Sequence, residues 1–168
     1  MSSGPRYRLR PRRRREGKTD YRRRLGLLKS GKVRIVVRRS LTQIRVQFIE
    51  YSEQGDRVLA SAMGSDLIGA YKWKHATSNT PAAYLTGLLA GKKAVEAGIT
   101  EGVFDLGRQV PVKGSKVFAA IKGIHDAGVD CYVSEEKLPD EKRIMGAHIN
   151  EKIASDVESI KNKITGGS

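Results

Sequence analysis

At 168 residues and 39% hydrophobic content, the chain has room for one domain with a real core and is too apolar for global disorder. Its formal net charge of +14 and pI of about 10.1 imply a polyanionic partner, nucleic acid or less often an anionic membrane. No apolar run approaches the ~20 residues of a membrane span, no signal-peptide core follows the basic start, and the one cysteine, Cys131, reads as a small buried residue, so a cytoplasmic protein without disulfides is expected.

The charge is concentrated at the front of the chain. Residues 1–45 carry 17 of the 32 Lys and Arg but only two acids, Glu16 and Asp20, a net of +15. Residues 46–168 carry 15 bases and 16 acids, a net of −1. A nearly neutral domain therefore bears a basic arm. Fourteen of the 17 front bases are Arg, whose planar guanidinium suits bidentate phosphate contact and stacking on bases, so RNA leads and DNA stays open.

Along the chain, residues 1 to about 20 lack apolar periodicity, and Pro5 and Pro11 interrupt any helix, so an extended arm is expected. YRRRLGLLK (21–29) predicts a short helix with Leu25 and Leu28 on one side. Three strands follow as a β-meander: KVRIVVRR (32–39), QIRVQFIEY (43–51) and, after the turn SEQGD, RVLASAM (57–63). Ile44, Val46 and Phe48 alternate with Arg45 and Gln47, and Arg34 and Arg38 share a face of their strand. Such a sheet has one face for a core and one for nucleic acid.

NTPAAYLTGLLAGKKAVEA (79–97) is the clearest helix, with Asn79 or Thr80 to cap it, Pro81 in its first turn and Gly98 to stop it. Strand GVFDL (102–106), helix SKVFAAIKGIHDA (115–127) and strand VDCYV (129–133) follow, an alternation that predicts parallel strands joined by crossover helices. After the polar break SEEKLPDEKR, the spacing of Ile149, Ile153, Val157, Ile160 and Ile164 predicts a terminal amphipathic helix that packs on this protein or a neighbour. The fold class is α/β, with a mixed sheet of three antiparallel and two parallel strands. The organisation is a basic arm (1–30), a core domain (31–135) and a C-terminal helical extension (136–168).

Gly17-Lys18-Thr19 imitates the end of a phosphate-binding P-loop, but the first glycine of that motif falls on Arg12 and no strand precedes it. In GLLKSGKV, Val33 replaces the hydroxyl that would bind magnesium, and GLLAGKK (87–93) lies inside a helix. His75, His125 and His148 are scattered, no nucleophile–base pair is legible, and no metal or cofactor is implied. Asp66, Asp105 and Asp130 could only form a nuclease cluster if the fold gathered them; for Asp105, a solvent-facing, capping or Arg-paired role is expected.

The nucleic-acid signals are stronger. In YKWKHATSN (71–79), Trp73 sits between Lys72 and Lys74, which suits stacking on a base as well as anchoring to the core. The segments RRREGKTDYRRRLGLL, VRIVVRRSLTQIRVQFIEY, GDRVLASAMGSDL, NTPAAYLTGLLAGKKAVEAGI and GSKVFAAIKGIHDAGVD resemble the ribosomal large-subunit L-eighteen family of the archaeal and eukaryotic type over nearly the whole chain. That resemblance implies 5S rRNA as ligand, contacts to 23S rRNA and neighbouring large-subunit proteins in the central protuberance, and a ribonuclease-H-like architecture without enzymatic activity, small-molecule substrate or membrane. It implies RNA contacts from the arm motif (Arg12, Arg13, Arg14, Arg15, Lys18, Thr19, Tyr21, Arg22, Arg23, Arg24) and the hairpin (Arg34, Arg38, Arg39, Ser40, Thr42, Gln43, Arg45). The remaining candidates are Arg6, Arg8, Arg10, Lys29 and Lys32 with the loop residues Lys72, Trp73, Lys74, His75 and Asn79. Rival readings are a free RNA chaperone or adaptor and a metal-dependent nuclease on a ribonuclease-H-like fold.

Overall fold

Strands form where β-branched and aromatic residues alternate. In the computed structural model, which describes residues 4–166, β1 (Arg34–Arg39), β2 (Ile44–Glu50) and β3 (Arg57–Met63) make the expected antiparallel meander. β4 (Val103–Asp105) adds parallel to β1, giving the order β3-β2-β1-β4. The register decides what each face carries. Ile35 opposite Phe48 and Val37 opposite Val46 form the core side, whereas Arg34, Val36 and Arg38 lie opposite Ile49, Gln47 and Arg45 on the other.

The helices are α1 (Arg12–Arg15), α2 (Tyr21–Leu28), α3 (Gly64–Tyr71), α4 (Thr80–Glu96), α5 (Lys116–Asp126), α6 (Glu141–Ile144) and α7 (Glu151–Thr165). Asn79 caps α4, its side chain accepting from the Ala82 amide at 2.8 Å. The sheet, α5 and α7 enclose α4, so thirteen of its 17 residues are buried and it has no polar face. Val117, Phe118, Ile121 and Ile124 of α5 are buried as their spacing predicts. Ile153, Val157, Ile160 and Ile164 bury the stripe of α7 within this same core, each contributing about 1.5–3 kcal/mol. Ile149 precedes α7 and is exposed.

Two expectations need correction, and one element is new. VDCYV is not a strand: Val129 and Cys131 are buried on alternation, but only one parallel bridge, Glu101 to Asp130, joins it to the sheet. Two backbone bonds make it, Asp130 N to Thr100 O at 2.8 Å and Gly102 N to Asp130 O at 3.0 Å. Second, the arm is not wholly extended, because Pro11 stands just before the first turn of α1, where a missing N–H is harmless. The new element, α3, fills a stretch that no pattern marked. Its two glycines and its polar start mask it, yet Asp66 accepts from the Met63 amide at 3.0 Å and Leu67 anchors it in the core. Burial raises the Cys131 thiol to about 11.

The α4–α5 crossing depends on two glycines whose missing side chains let backbones meet. A Cβ on Gly87 would stand 2.0 Å from Ala120 O, and one on Gly123 would stand 2.2 Å from Tyr84 O. Helix propensity alone favours Gly123→Ala by about 1 kcal/mol, but overpacking at backbone reverses the sign. We expect Gly123→Ala to lower unfolding stability by about 3 kcal/mol, read as a shift of the urea midpoint at unchanged slope.

Candidate nucleic-acid interface

The open face of the sheet has to solve one electrostatic problem. Arg34 projects from β1 on the side away from the core, and α2 leans across it, leaving its side chain 3% exposed. A guanidinium taken out of water must be answered by carboxylates. Asp56, in the turn before β3, accepts from Arg34 Nη2 at 2.7 Å and from Arg24 Nη2 of α2 at 2.7 Å. Asp105, at the end of β4, lies 3.5 Å from Arg34 Nη1 and accepts from Arg38 Nη2 at 2.9 Å and from the Gly107 amide at 2.7 Å. A continuous chain of charges, Arg24–Asp56–Arg34–Asp105–Arg38, thus ties α2 to three strands or strand ends. It substitutes for apolar packing, since no residue of α2 is buried.

The arm reaches the same face. Asp20 caps α2, accepting from the amides of Arg22 at 3.0 Å and Arg23 at 3.2 Å. Glu16 takes Lys18 at 2.7 Å and Arg12 at 2.8 Å, and these two cations, Lys18 first, hold its carboxyl below the usual range. Arg13 Nε donates to Thr19 Oγ1 at 2.8 Å. Gly17 has φ +64°, and a Cβ there would stand 2.3 Å from Arg108 Nη1. The guanidinium of Arg108 lies over Gly17, but the end of a long side chain can move aside; the positive φ is what favours glycine at position 17. Arm, α2, sheet and the loop after β4 enclose a cleft of about 600 Å³ whose lining includes Arg13, Lys18, Arg23, Arg24, Arg38, Arg108, Leu27, Val36 and Ile49.

At the other end of the face, Arg38, Arg39, Ser40, Thr42, Gln43 and Arg45 surround a hollow of about 250 Å³. The turn is held by Ser40 N to Gln43 O at 2.8 Å, Gln43 N to Ser40 Oγ at 2.9 Å and Thr77 Oγ1 to Thr42 O at 2.6 Å. Arg38 faces Arg45 directly across the two strands, a like-charge pair that is unfavourable without an anion nearby. Asp105 answers Arg38, while Arg39 and Arg45 are exposed and have no carboxylate partner among the described residues.

The other candidates divide. Arg6, Arg8, Arg10, Arg12, Arg14, Arg15, Tyr21, Arg22 and Lys29 are exposed along the arm and α2. Lys32 pairs with Glu101 at 2.6 Å, which raises its pKa. Arg34 is withdrawn from the surface, so it holds the interface together from beneath. The loop 72–79 is turned inward more than its sequence suggests. Trp73 is 3% exposed and donates from Nε1 to Ala76 O at 3.2 Å, which decides for the core and against stacking on a base. His75 meets Asp156 of α7 at 2.8 Å, and Asn79 is engaged as the α4 cap. Lys72, at φ +58°, and Lys74 stay exposed.

Asp56 and Arg108 escaped the sequence reading, because a single Asp in a turn and a single Arg in a loop acquire meaning only from what folds against them. The three Asp of the nuclease reading do not gather. Asp66 sits at the start of α3, Asp105 is held by arginines, and Asp130 lies in the isolated bridge. Among the described residues, no three His, Cys, Asp or Glu are placed to hold a metal ion. Removing Asp56 strands Arg34 with one distant carboxylate. We expect Asp56→Ala to cost about 2–3 kcal/mol in denaturant unfolding, below the range for a fully buried pair because Asp56 is partly exposed, while Glu16→Ala leaves the midpoint unchanged.

Comparison with known proteins gives this face its context. The family described as ribosomal large subunit proteins 60S L5, and 50S L18 matches residues 5–100, which include the arm, α2 and the β1–β2 hairpin. A large ribosomal subunit protein uL18 from Aeropyrum pernix is 54% identical over 149 residues, 89% of this chain and 70% of that protein. The uL18 proteins of Korarchaeum cryptofilum and Haloarcula marismortui are each 52% identical, covering 89% and 90% of this chain and 76% and 80% of their own lengths. With the family model over residues 5–100 and relatives more than half identical over about nine tenths of this chain, the chain belongs to the family of ribosomal large subunit proteins 60S L5 and 50S L18.

Proposed function

We propose that this protein is a non-enzymatic constituent of the large ribosomal subunit that binds 5S rRNA and anchors it to 23S rRNA in the central protuberance. The observation that carries the reading is the segregation of faces. One side of the sheet is closed by α4 and α5, and the other presents the hairpin and the arm, whose cations outnumber the carboxylates beside them and include Arg39 and Arg45 with no carboxylate partner among the described residues. Phosphate contacts from Arg12, Arg13, Arg14, Arg15, Arg22, Arg23, Arg39 and Arg45 supply affinity. The shape of the face, 2′-OH contacts and unpaired bases supply specificity. Neighbouring large-subunit proteins are assigned to the near-neutral remainder of the domain. We also infer a ribonuclease-H-like architecture, supported by the order β3-β2-β1-β4, the parallel β1–β4 pair and the parallel bridge beyond it.

Gel shifts against 5S rRNA and an unrelated structured RNA at ~150 mM salt test the specific claim, because non-specific binding is electrostatic and screened. We expect clear preference for 5S rRNA and, if about eight phosphates are neutralised, a slope of log K against log salt between about −6 and −7. Equal affinity for both RNAs favours the chaperone reading instead. Deleting residues 1–24 should leave the domain folded, since no described residue before Arg34 is buried, and should abolish most 5S binding. Undiminished binding by the truncated protein would place the main site elsewhere.

A further inference from the structure

We infer that the cleft between the arm, α2 and the open face of the sheet receives one unpaired nucleotide of the bound RNA, its base against Leu27, Val36 and Ile49 and its phosphate toward Arg13, Arg23 and Arg108. The inference rests on the RNA-binding reading and sharpens it from a charged surface to a built subsite. A volume of about 600 Å³ falls in the range of small-ligand sites, roughly 300–1,000 Å³. Its chemistry is mixed in the way a nucleotide requires. Val36 is buried and Ile49 and Leu27 are half-buried, forming an apolar wall that a bare phosphate would leave unused. Seven Lys or Arg line the cleft against three Asp, and Asp56 and Asp105 are already engaged by Arg24, Arg34 and Arg38. Arg13 bonds only to a neutral hydroxyl, and Arg23 lies 3.6 Å from the capping Asp20, so both have capacity for an incoming anion.

Gly26 offers a way to block the cleft. A glycine inside a helix costs about 1 kcal/mol relative to alanine and is usually explained by close packing of another element. Gly26 lies within α2 and lines the cleft, yet no atom of the protein comes within 4 Å of where its Cβ would stand. Gly87 and Gly123 are glycines because the protein itself fills their space; over Gly26, as over Gly69 of α3, the space is open, so a side chain placed at the edge of the cleft meets no other part of this chain. Unpaired bases splayed from loops and bulges are what RNA offers to such a site, and one stacked base contributes about 1–3 kcal/mol.

The test compares wild type, Gly26→Trp and Gly69→Trp, the second at an open glycine of α3 that does not line the cleft. Both variants keep every charge and place their side chains in open space, so both should fold at least as stably as wild type. The indole of Gly26→Trp plugs the cleft. We expect it to weaken 5S rRNA binding about tenfold or more at unchanged salt slope, with Gly69→Trp within about twofold of wild type. Wild-type affinity in Gly26→Trp, or an equal loss in Gly69→Trp, would overturn the proposal. A second measurement needs no ribosomal RNA. Titration of the full chain with adenosine or uridine 5′-monophosphate should shift the methyl resonances of Leu27, Val36 and Ile49 saturably in wild type and not in Gly26→Trp, while inorganic phosphate should not shift them. Absent shifts, or the same shifts with phosphate alone, would also overturn it. Loss of 5S preference in wild type would instead tell against the proposed function, which keeps the two failures apart.

Discussion

Two carboxylates hold the functional face together. Asp56 and Asp105 bind three arginines, Arg24, Arg34 and Arg38, that come from α2 and from both ends of β1. Without them, α2 would have no anchor, because its leucines bury too little and its arginines repel the strand beneath. The arrangement keeps a dense cationic surface on a sheet that would otherwise fray by self-repulsion. It also divides the arginines by role. Those paired with Asp set geometry, and those left without carboxylates remain for an anionic partner.

The opposite side of the sheet is governed by a different constraint, close approach. Gly87 and Gly123 let α4 and α5 meet at backbone distance, and α7 closes the remaining side of α4 with Ile153, Val157, Ile160 and Ile164. The sheet is thereby supported on one face only. A rigid, dry layer behind and a charged layer in front allow the hairpin turn, pinned by Ser40, Gln43 and Thr77, to present Arg39 and Arg45 in fixed positions. Such preorganisation matters for RNA, where shape and placed contacts carry specificity and the phosphates carry affinity.

The arm joins these layers. Its acids are few, but Glu16 and Asp20 are placed so that each settles a local problem, one gathering Arg12 and Lys18, the other capping α2. At Gly17 the chain passes over Arg108, which lines the cleft together with Lys18 and Thr19. Gly-Lys-Thr, which imitates a nucleotide-binding loop in the sequence, belongs to the turn between α1 and α2 beside the cleft; a helix follows it, but a helical turn stands before it where a P-loop has a strand.

Period and charge were legible in the residues alone. The meander, α2, α4, α5 and α7, the apolar and arginine-bearing sides of the sheet, and the location of the basic charge all follow from local pattern, because alternation of two and recurrence near 3.6 are properties of neighbouring residues. Tertiary structure alone decided whatever depends on a distant partner. VDCYV has strand alternation, but β4 is too short to pair with it beyond one bridge. Trp73 between two lysines is equally suited to RNA and to a core, and the fold buries it, with its Nε1 donating to Ala76 O of its own loop. Arg34 reads like any other arginine of the hairpin until α2 covers it and Asp56 and Asp105 converge on it. Composition set the sign and amount of charge; which of the sheet's arginines are spent on the protein's own carboxylates, and which stay exposed without them, was settled by Asp56 and Asp105, tens of positions away in the chain.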